Sequence, residues 1–183
     1  MTNSTRYHSF AIALHWIMAL GFMFMAGSGW YMVNGDLPKA EQFDLYQIHK
    51  ASGVLMLWAL VLRVFIKFVT YTPLLPNSIP KEQKKMAKLG HVSLYIGLLL
   101  IPVTGWVMVS ASPFGLPTLV FFDWLKWPHI PGLAKNREAQ IIASNVHWYG
   151  VLTMLLLIVG HISAVYVHTV KHNIKLIRRM WWN

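Results

Sequence analysis

The stretch VHWYGVLTMLLLIVGHISAVYVH, residues 146–168, decides the fold of this chain. It is long and apolar enough to cross a hydrocarbon core about 30 Å thick, which takes about 20 helical residues. It nevertheless contains His147, His161 and His168. Ionisable side chains are costly inside a membrane and commonly mark a functional site there. The stretch therefore predicts a membrane helix and a functional reason for its buried histidines.

Further segments of the same kind precede it. Together the four candidate spans cover residues 9–33, 47–69, 88–111 and 144–170. A short polar loop, NGDLPKAEQFD, joins the first two, and a proline-rich connection joins the second and third. Pro102 is expected to kink the third span. The aromatic and proline-rich connection 112–143 is predicted to form a cap at one membrane interface. We therefore predict an all-α integral membrane protein, a single domain over residues 1–183 built as a four-transmembrane-helix bundle.

The composition excludes several classes of protein. The chain is 56% hydrophobic and 12% charged, whereas soluble domains have about 45–50% apolar and about 25% charged residues. It has no cysteine, which excludes disulfides, iron–sulfur clusters, zinc–thiolate sites and covalently attached c-type haem. The nine histidines are thus the main supply of ligands for any redox centre. We expect no cleavable signal peptide, because the first apolar segment is too long for one.

The distribution of basic residues predicts the orientation of the chain. Eleven of the 16 Lys and Arg residues lie near the termini or around the connection between the second and third spans. Five of the six acidic residues lie on the opposite side. The positive-inside rule therefore places both termini in the cytoplasm, with Arg63 and Lys67 snorkelling to that surface. We attribute the net charge of +10 to the membrane surface and expect no nucleic-acid partner.

The spacing of the histidines predicts two pairs at different depths. His147 and His161 are 14 residues apart, which returns to within about 40° of the same helix face, about 21 Å along the axis. Because successive spans alternate in direction, His15 near the start of the first span reaches the depth of His161. By the same reasoning, His49 near the start of the second span reaches the depth of His147. We therefore expect His15 to face His161 and His49 to face His147.

Two facing imidazoles suit the axial ligation of haem iron in a helix bundle. Zinc needs a third or fourth ligand, which is not evident, and a proton relay more often uses Asp or Glu, which the spans lack. A single intramembrane histidine is also explained by a hydrogen bond to a neighbouring helix. Glycines near the ligands either admit a porphyrin or serve ordinary helix packing; they are Gly53, Gly150 and Gly160.

Four motifs spread over nearly the whole chain resemble the bacterial cytochrome b561 family of four-helix di-haem b proteins. They are ALHWIMAL, YQIHKASGVLMLWALVLRV, LGHVSLYIGLLLIPVTGWVM and VHWYGVLTMLLLIVGH. The resemblance implies two haem b groups in the bacterial inner (cytoplasmic) membrane. It assigns His15 and His161 to a cytoplasmic haem, and His49 and His147 to a periplasmic haem.

The resemblance also implies a ubiquinone head group near the cytoplasmic haem. His168, two turns beyond His161, is a candidate hydrogen-bond donor or proton carrier there, or else an interfacial residue in water. His91 is a candidate to bond a propionate or to line the same site. On the periplasmic side an anionic donor such as superoxide needs positive charge. The candidates, which are otherwise part of a balanced solvated surface, are Lys50, Lys126, Lys135 and Arg137.

The remaining histidines have weaker interpretations. His8 either shares the surroundings of His15 or belongs to a frayed terminus, and His129 and His172 are expected at the surface.

Three functions remain open at this point. Bis-histidine coordination leaves no open position on the iron, so the haems are expected to relay electrons rather than bind oxygen. The favoured function is an oxidoreductase that passes electrons from superoxide, or another periplasmic donor, to ubiquinone. The chain resembles, in length and loop pattern, the stand-alone family member with that activity. The alternative is a cytochrome b relay subunit of a larger dehydrogenase or hydrogenase complex, whose membrane subunits have a similar core. A non-redox structural protein of the membrane is the third.

Overall fold

The structure is a computed structural model that describes residues 6–121, 124–171 and 173–182. Its four long helices are α1 (Ser9–Asn34), α2 (Lys39–Val69), α3 (Lys81–Ala111) and α4 (Arg137–Val170). Each helix is long and apolar enough to cross a membrane. The predicted fold, a bundle of four membrane helices, is thus confirmed. The helix α3 continues through Pro102 to Ala111.

Three of the helices begin earlier than the apolar spans suggested. Pro38 and Pro80 precede the first turns of α2 and α3, and the Asn136 side chain accepts a hydrogen bond from the Ala139 N–H at the start of α4. The added turns are rich in Lys, Glu, Gln and Ala. These residues have a high helix propensity, but the turns that contain them are not apolar enough to be counted as part of a membrane span. Hydropathy therefore missed them. The connection expected at 34–44 shrinks to 35–38, and the cap expected at 112–143 ends at Asn136.

The helices pack as two close pairs. The closest packing joins α3 to α4 and α1 to α2, with lighter contact between α2 and α3. By contrast, α4 makes little close backbone contact with α1 or α2. We call the end of the bundle that holds Ser9, Val69 and Val170 the terminal face, and the opposite end the cap face.

Two clusters of apolar side chains fill the middle of the bundle. Leu14, Met18 and Leu60 form the one nearer the terminal face. Phe22, Ile101 and Met154 form the other, which links α1, α3 and α4. Outward-facing residues are apolar as well and remain exposed, as expected of helices whose outer surface meets lipid.

The cap contains a feature that the sequence did not predict. Two short antiparallel strands, β1 (Thr118–Val120) and β2 (Leu125–Trp127), form a hairpin in an otherwise helical chain. The Trp127 ring packs against Trp58 of α2 at 5.8 Å and against Trp106 of α3 at 5.4 Å. The cap is therefore anchored along the side of α2 and α3.

The C-terminal tail binds back onto the terminal face. It forms a 3₁₀ helix, Leu176–Met180. The indole N–H of Trp16 donates to the Met180 carbonyl at 2.7 Å, and the Tyr7 N–H donates to the Arg179 carbonyl at 3.2 Å. The Arg179 guanidinium donates to the Pro73 carbonyl at 2.7 Å. These bonds join the N-terminus, the tail and the α2–α3 connection.

Candidate functional site

Two pairs of histidines face each other across the bundle. In the terminal pair, His15 of α1 lies opposite His161 of α4, with ring centroids 6.5 Å apart. In the cap pair, His49 of α2 lies opposite His147 of α4 at 6.4 Å. Two imidazoles that bind one first-row metal ion from opposite sides at about 2.0–2.1 Å per bond have centroids about 6 Å apart. Both separations therefore fit an ion held between the rings.

The two pairs lie between helices whose backbones are not closely packed. Both pairs cross from α4 to the α1–α2 side, where α4 makes little close backbone contact. Within residues 6–121, 124–171 and 173–182, no group of three or more His, Asp or Glu side chains is arranged to hold a metal ion. Each pair offers two nitrogen ligands, which is the number that a haem iron takes from a protein in bis-histidine coordination.

Hydrogen bonds fix the tautomer of both histidine rings in the cap pair. Nδ1 of His147 donates to the Ile101 carbonyl at 2.8 Å. The Ser28 hydroxyl donates to the Met25 carbonyl at 3.2 Å, so its oxygen accepts from His49 Nδ1 at 3.1 Å. In both rings the proton is therefore on Nδ1, which leaves Nε2 with a free lone pair. Such a bond orients a ligating histidine and raises its basicity.

Two glycines that the sequence did not single out make space for the cap pair. A Cβ on Gly29 would lie 3.0 Å from Cε1 of His49, and a Cβ on Gly105 would lie 3.3 Å from Cε1 of His147. Gly29 comes 14 residues after His15, the spacing that also separates His147 from His161. That periodicity is a signal from which Gly29 could have been found.

The glycines chosen from the sequence serve other purposes. A Cβ on Gly53 would meet the Met25 methyl at 3.6 Å, and one on Gly150 would meet Ile101 at 3.3 Å. A Cβ on Gly160 would meet nothing within 4 Å. The contacts of Gly53 and Gly150 are those of ordinary helix packing.

The terminal pair has charged and titratable neighbours. The Arg63 guanidinium lies 3.3 Å from His15 Nδ1 and donates to the Tyr95 hydroxyl at 3.2 Å. His91 lies against the other ring, with its centroid 5.4 Å from that of His161, and its Nδ1 donates to the Ala87 carbonyl at 2.6 Å. Arg63 thus points into the bundle, and the prediction that it snorkels to the surface is wrong.

A dense apolar layer separates the two pairs. Phe22 comes seven residues after His15, and Met154 lies midway between His147 and His161. Both side chains are buried and belong to one cluster with Ile101. Water is therefore excluded between the two depths, while the pairs stay connected through packed side chains.

The two residues considered for a quinone site occupy different places. His168 lines a cavity of about 230 Å³ on the terminal face, between the α2–α3 connection and the end of α4. His91 is not among its lining residues and instead contacts His161. The other residues that line the cavity are Ser78, Ile79, Pro80, Gln83 and Ile174.

The four cations considered for a donor site also occupy different places. Lys135 and Arg137 line one cavity of about 520 Å³ at the cap face, together with Gln140. The Lys50 ammonium donates to the Pro117 carbonyl at 3.3 Å and so supports the base of the cap. Lys126 is exposed on β2.

Of the three remaining histidines, the structure describes His8 and His129. The His8 side chain accepts a hydrogen bond from the Phe10 N–H at 3.3 Å and caps α1. His129, expected at the surface, is half-buried, and His172 lies outside the described residues.

The fold and the paired histidines define a class, a four-helix membrane bundle with metal-ligand side chains in its core. The profile described as prokaryotic cytochrome b561 matches residues 6–183, and the chain belongs to that family. It is 28% identical to cytochrome b561 homolog 2 of Escherichia coli K12 over 158 residues, which cover 85% of this chain and 80% of that one. It is 26% identical to cytochrome b561 homolog 1 of the same organism over 183 residues, covering 96% and 97% of the two chains.

Membership of this family gives the general activity. The protein is a multi-pass membrane protein that binds haem b and transfers electrons across the membrane, which makes it broadly an oxidoreductase.

Proposed function

We propose that this chain is a di-haem b protein that carries electrons from a donor at the cap face to quinone at the terminal face. The observation that carries the proposal is the presence of two histidine pairs, with centroids 6.5 and 6.4 Å apart, at two depths of one bundle. His15 and His161 hold one haem, and His49 and His147 hold the other.

When bound, each haem supplies a one-electron iron couple. At each site the two histidine nitrogens would hold the iron, which would keep other ligands off the metal. Ser28 and the Ile101 carbonyl orient the cap pair, and Phe22 and Met154 keep water out of the space between the sites.

The terminal face is proposed to be cytoplasmic, in the inner membrane of a bacterium. Eleven of the 16 Lys and Arg residues lie on that side of the spans, and cytoplasmic loops are enriched in these residues. The cap face is then periplasmic.

Superoxide is the proposed donor at the cap face. Lys135 and Arg137 line one cavity there, and positive charge in a cleft attracts small anions. Lys50 and Lys126 add to the positive charge of the same face. Each superoxide anion gives up one electron and leaves as dioxygen.

Ubiquinone is the proposed acceptor at the terminal face. It takes up two electrons, from two superoxide anions, and two protons to become ubiquinol. The cavity that His168 shares with Gln83 and Ser78 offers side chains able to hydrogen-bond a quinone carbonyl, and a histidine there can pass on a proton. His91 is proposed to act closer to the metal, since it contacts His161.

Pulsed superoxide added to the purified, haem-loaded chain tests this function. We expect rapid reduction of the haem absorption bands, followed by reoxidation when ubiquinone is added. The double variant Lys135→Gln/Arg137→Gln should slow the reduction severalfold, whereas Lys39→Gln, an exposed cation of the same face, should not. Absence of reduction by superoxide would exclude this donor. Copurification with an iron–sulfur or molybdenum subunit would instead support a relay subunit of a larger complex.

A further inference from the structure

Arg63 is a charged side chain turned into the membrane-spanning bundle. It is half-buried on α2 and reaches two other helices. Its guanidinium donates to the Ala11 carbonyl of α1 at 3.4 Å and to the Tyr95 hydroxyl of α3 at 3.2 Å, and it contacts His15 Nδ1 at 3.3 Å. Lys67, one turn later, is exposed, with its ammonium 4.9 Å from the centre of the Tyr95 ring. The two neighbouring cations are therefore placed differently, one at the terminal pair and one outside it.

The charge of Arg63 has no acidic partner in the part of the chain that the structure describes. Among the described residues, no carboxylate forms an ion pair with it. The one acidic residue of the terminal side, Glu82, pairs with Lys85 at 2.9 Å on the surface of α3. A positive charge at this depth of a membrane protein is energetically costly, and such charges commonly mark a functional site.

The two histidine pairs have different electrostatic surroundings. At the cap pair, the Nδ1 atoms of His49 and His147 donate to oxygen atoms, which increases the electron density of each ring. At the terminal pair, the Arg63 guanidinium places a positive charge 3.3 Å from Nδ1 of His15. A metal at the terminal pair would therefore lie next to a fixed positive charge, whereas the hydrogen bonds described for Nδ1 in the cap pair are to oxygen atoms.

We propose that Arg63 is a positioning residue that sets the reduction potential of the terminal site and keeps it above that of the cap site. This rests on the proposed function, in which His15 and His161 hold a haem. A cation beside one ligand stabilises the state of the site that carries one more electron, because unlike charges attract in a medium of low dielectric constant. Electrons that enter at the cap pair are thereby drawn towards the terminal pair.

Redox titration of the full-length, haem-loaded protein, followed by its absorption bands, tests this role. We expect Arg63→Gln to lower one of the two midpoint potentials by at least about 59 mV. At a fixed solution potential, such a shift raises the ratio of oxidised to reduced haem at that site tenfold for a one-electron couple. The other site should change less than twofold. Arg63→Lys, which keeps the charge, should stay within threefold of the wild type. The matched control Lys67→Gln should also stay within threefold, because its charge is exposed and screened by water.

The outcomes separate this proposal from the one on which it rests. If the wild-type chain binds fewer than two haems, the proposed function fails. If it binds two and Arg63→Gln changes both ratios less than twofold, the role of Arg63 is refuted. Equal shifts in Arg63→Gln and Arg63→Lys would also refute it, since charge would then not matter. Arg63→Gln could also lose one haem. In that case, the proposal is supported if Arg63→Lys retains that haem at the wild-type potential. The proposal is overturned if Arg63→Lys loses the haem as well.

Discussion

The Nδ1 atom of His147 lies 2.8 Å from the carbonyl oxygen of Ile101. The bond runs from α4 to α3, a helix that contributes no histidine to either pair. Through this bond, α3 orients the His147 ring of the neighbouring helix α4. The close packing of α3 against α4 therefore serves the site as well as the fold.

The glycine beside His49 should be required for the cap site. A Cβ at position 29 would lie 3.0 Å from Cε1 of His49, and Gly29→Val adds two methyl groups beyond it, so the ring must move. We expect the haem content to fall from two to one per chain, measured by pyridine haemochrome absorbance. Gly27→Val is the matched control in the same helix, because a Cβ there meets nothing within 4 Å. Two haems in Gly29→Val, with an unchanged spectrum, would contradict the prediction.

Each histidine pair should account for one haem. Loss of either ligand leaves the iron with one protein nitrogen, so His161→Ala and His147→Ala should each lose about half of the bound haem. The double variants His15→Ala/His161→Ala and His49→Ala/His147→Ala should hold one haem each. His8→Ala, whose side chain caps α1 at an exposed position, should retain two. The assignment of ligands is wrong if either double variant still contains two haems per chain.

Removing the hydrogen-bond partner of His49 should weaken the cap site without abolishing it. Ser28→Ala deletes the oxygen that accepts from Nδ1 at 3.1 Å, and loss of such a partner typically costs about 10–100-fold in metal affinity. We expect faster transfer of one of the two haems to an excess of an apo-haem protein, followed by absorbance. Thr153→Ala is a suitable control, since this exposed hydroxyl donates within its own helix, to the Tyr149 carbonyl. Equal transfer rates in both variants would argue against a role for Ser28.

The apolar layer between the pairs should contribute strongly to stability. Phe22 is 6% exposed and packs with Met154 and Ile101, and Phe→Ala in a packed core costs about 3–5 kcal/mol. Phe22→Ala should therefore lower the melting temperature of the helical circular dichroism signal by several degrees. Phe24→Ala, at a residue of α1 that is 50% exposed, should lower it much less. A similar melting temperature for the two variants would show that the layer is not a tightly packed core.

The spans and the histidine pairing follow from the sequence because both depend on helix geometry. A rise of about 1.5 Å per residue and alternating helix directions were enough to bring His15 to His161. The direction of Arg63 does not follow from them, because a cation near the end of an apolar span is ordinarily expected to snorkel. Its partners, Tyr95 and the Ala11 carbonyl, are set by how three helices pack.

The hairpin within the cap could not be predicted for a similar reason. The strands β1 and β2 have three residues each, too few for a pattern of alternating polarity. Their position depends on contacts of Trp127 with Trp58 and Trp106, residues that are distant in sequence. Such contacts leave no local signal in the chain, so the hairpin was missed.

The order of synthesis has a consequence for assembly, because α4 supplies one histidine to each pair and is made after α1, α2 and α3. A nascent chain that ends before Arg137 contains His15 and His49 but neither of their partners. Both sites are completed by the insertion of the same helix. Neither pair is therefore complete before α4 is made, and a protein truncated between His147 and His161 contains both histidines of the cap pair but only His15 of the terminal pair.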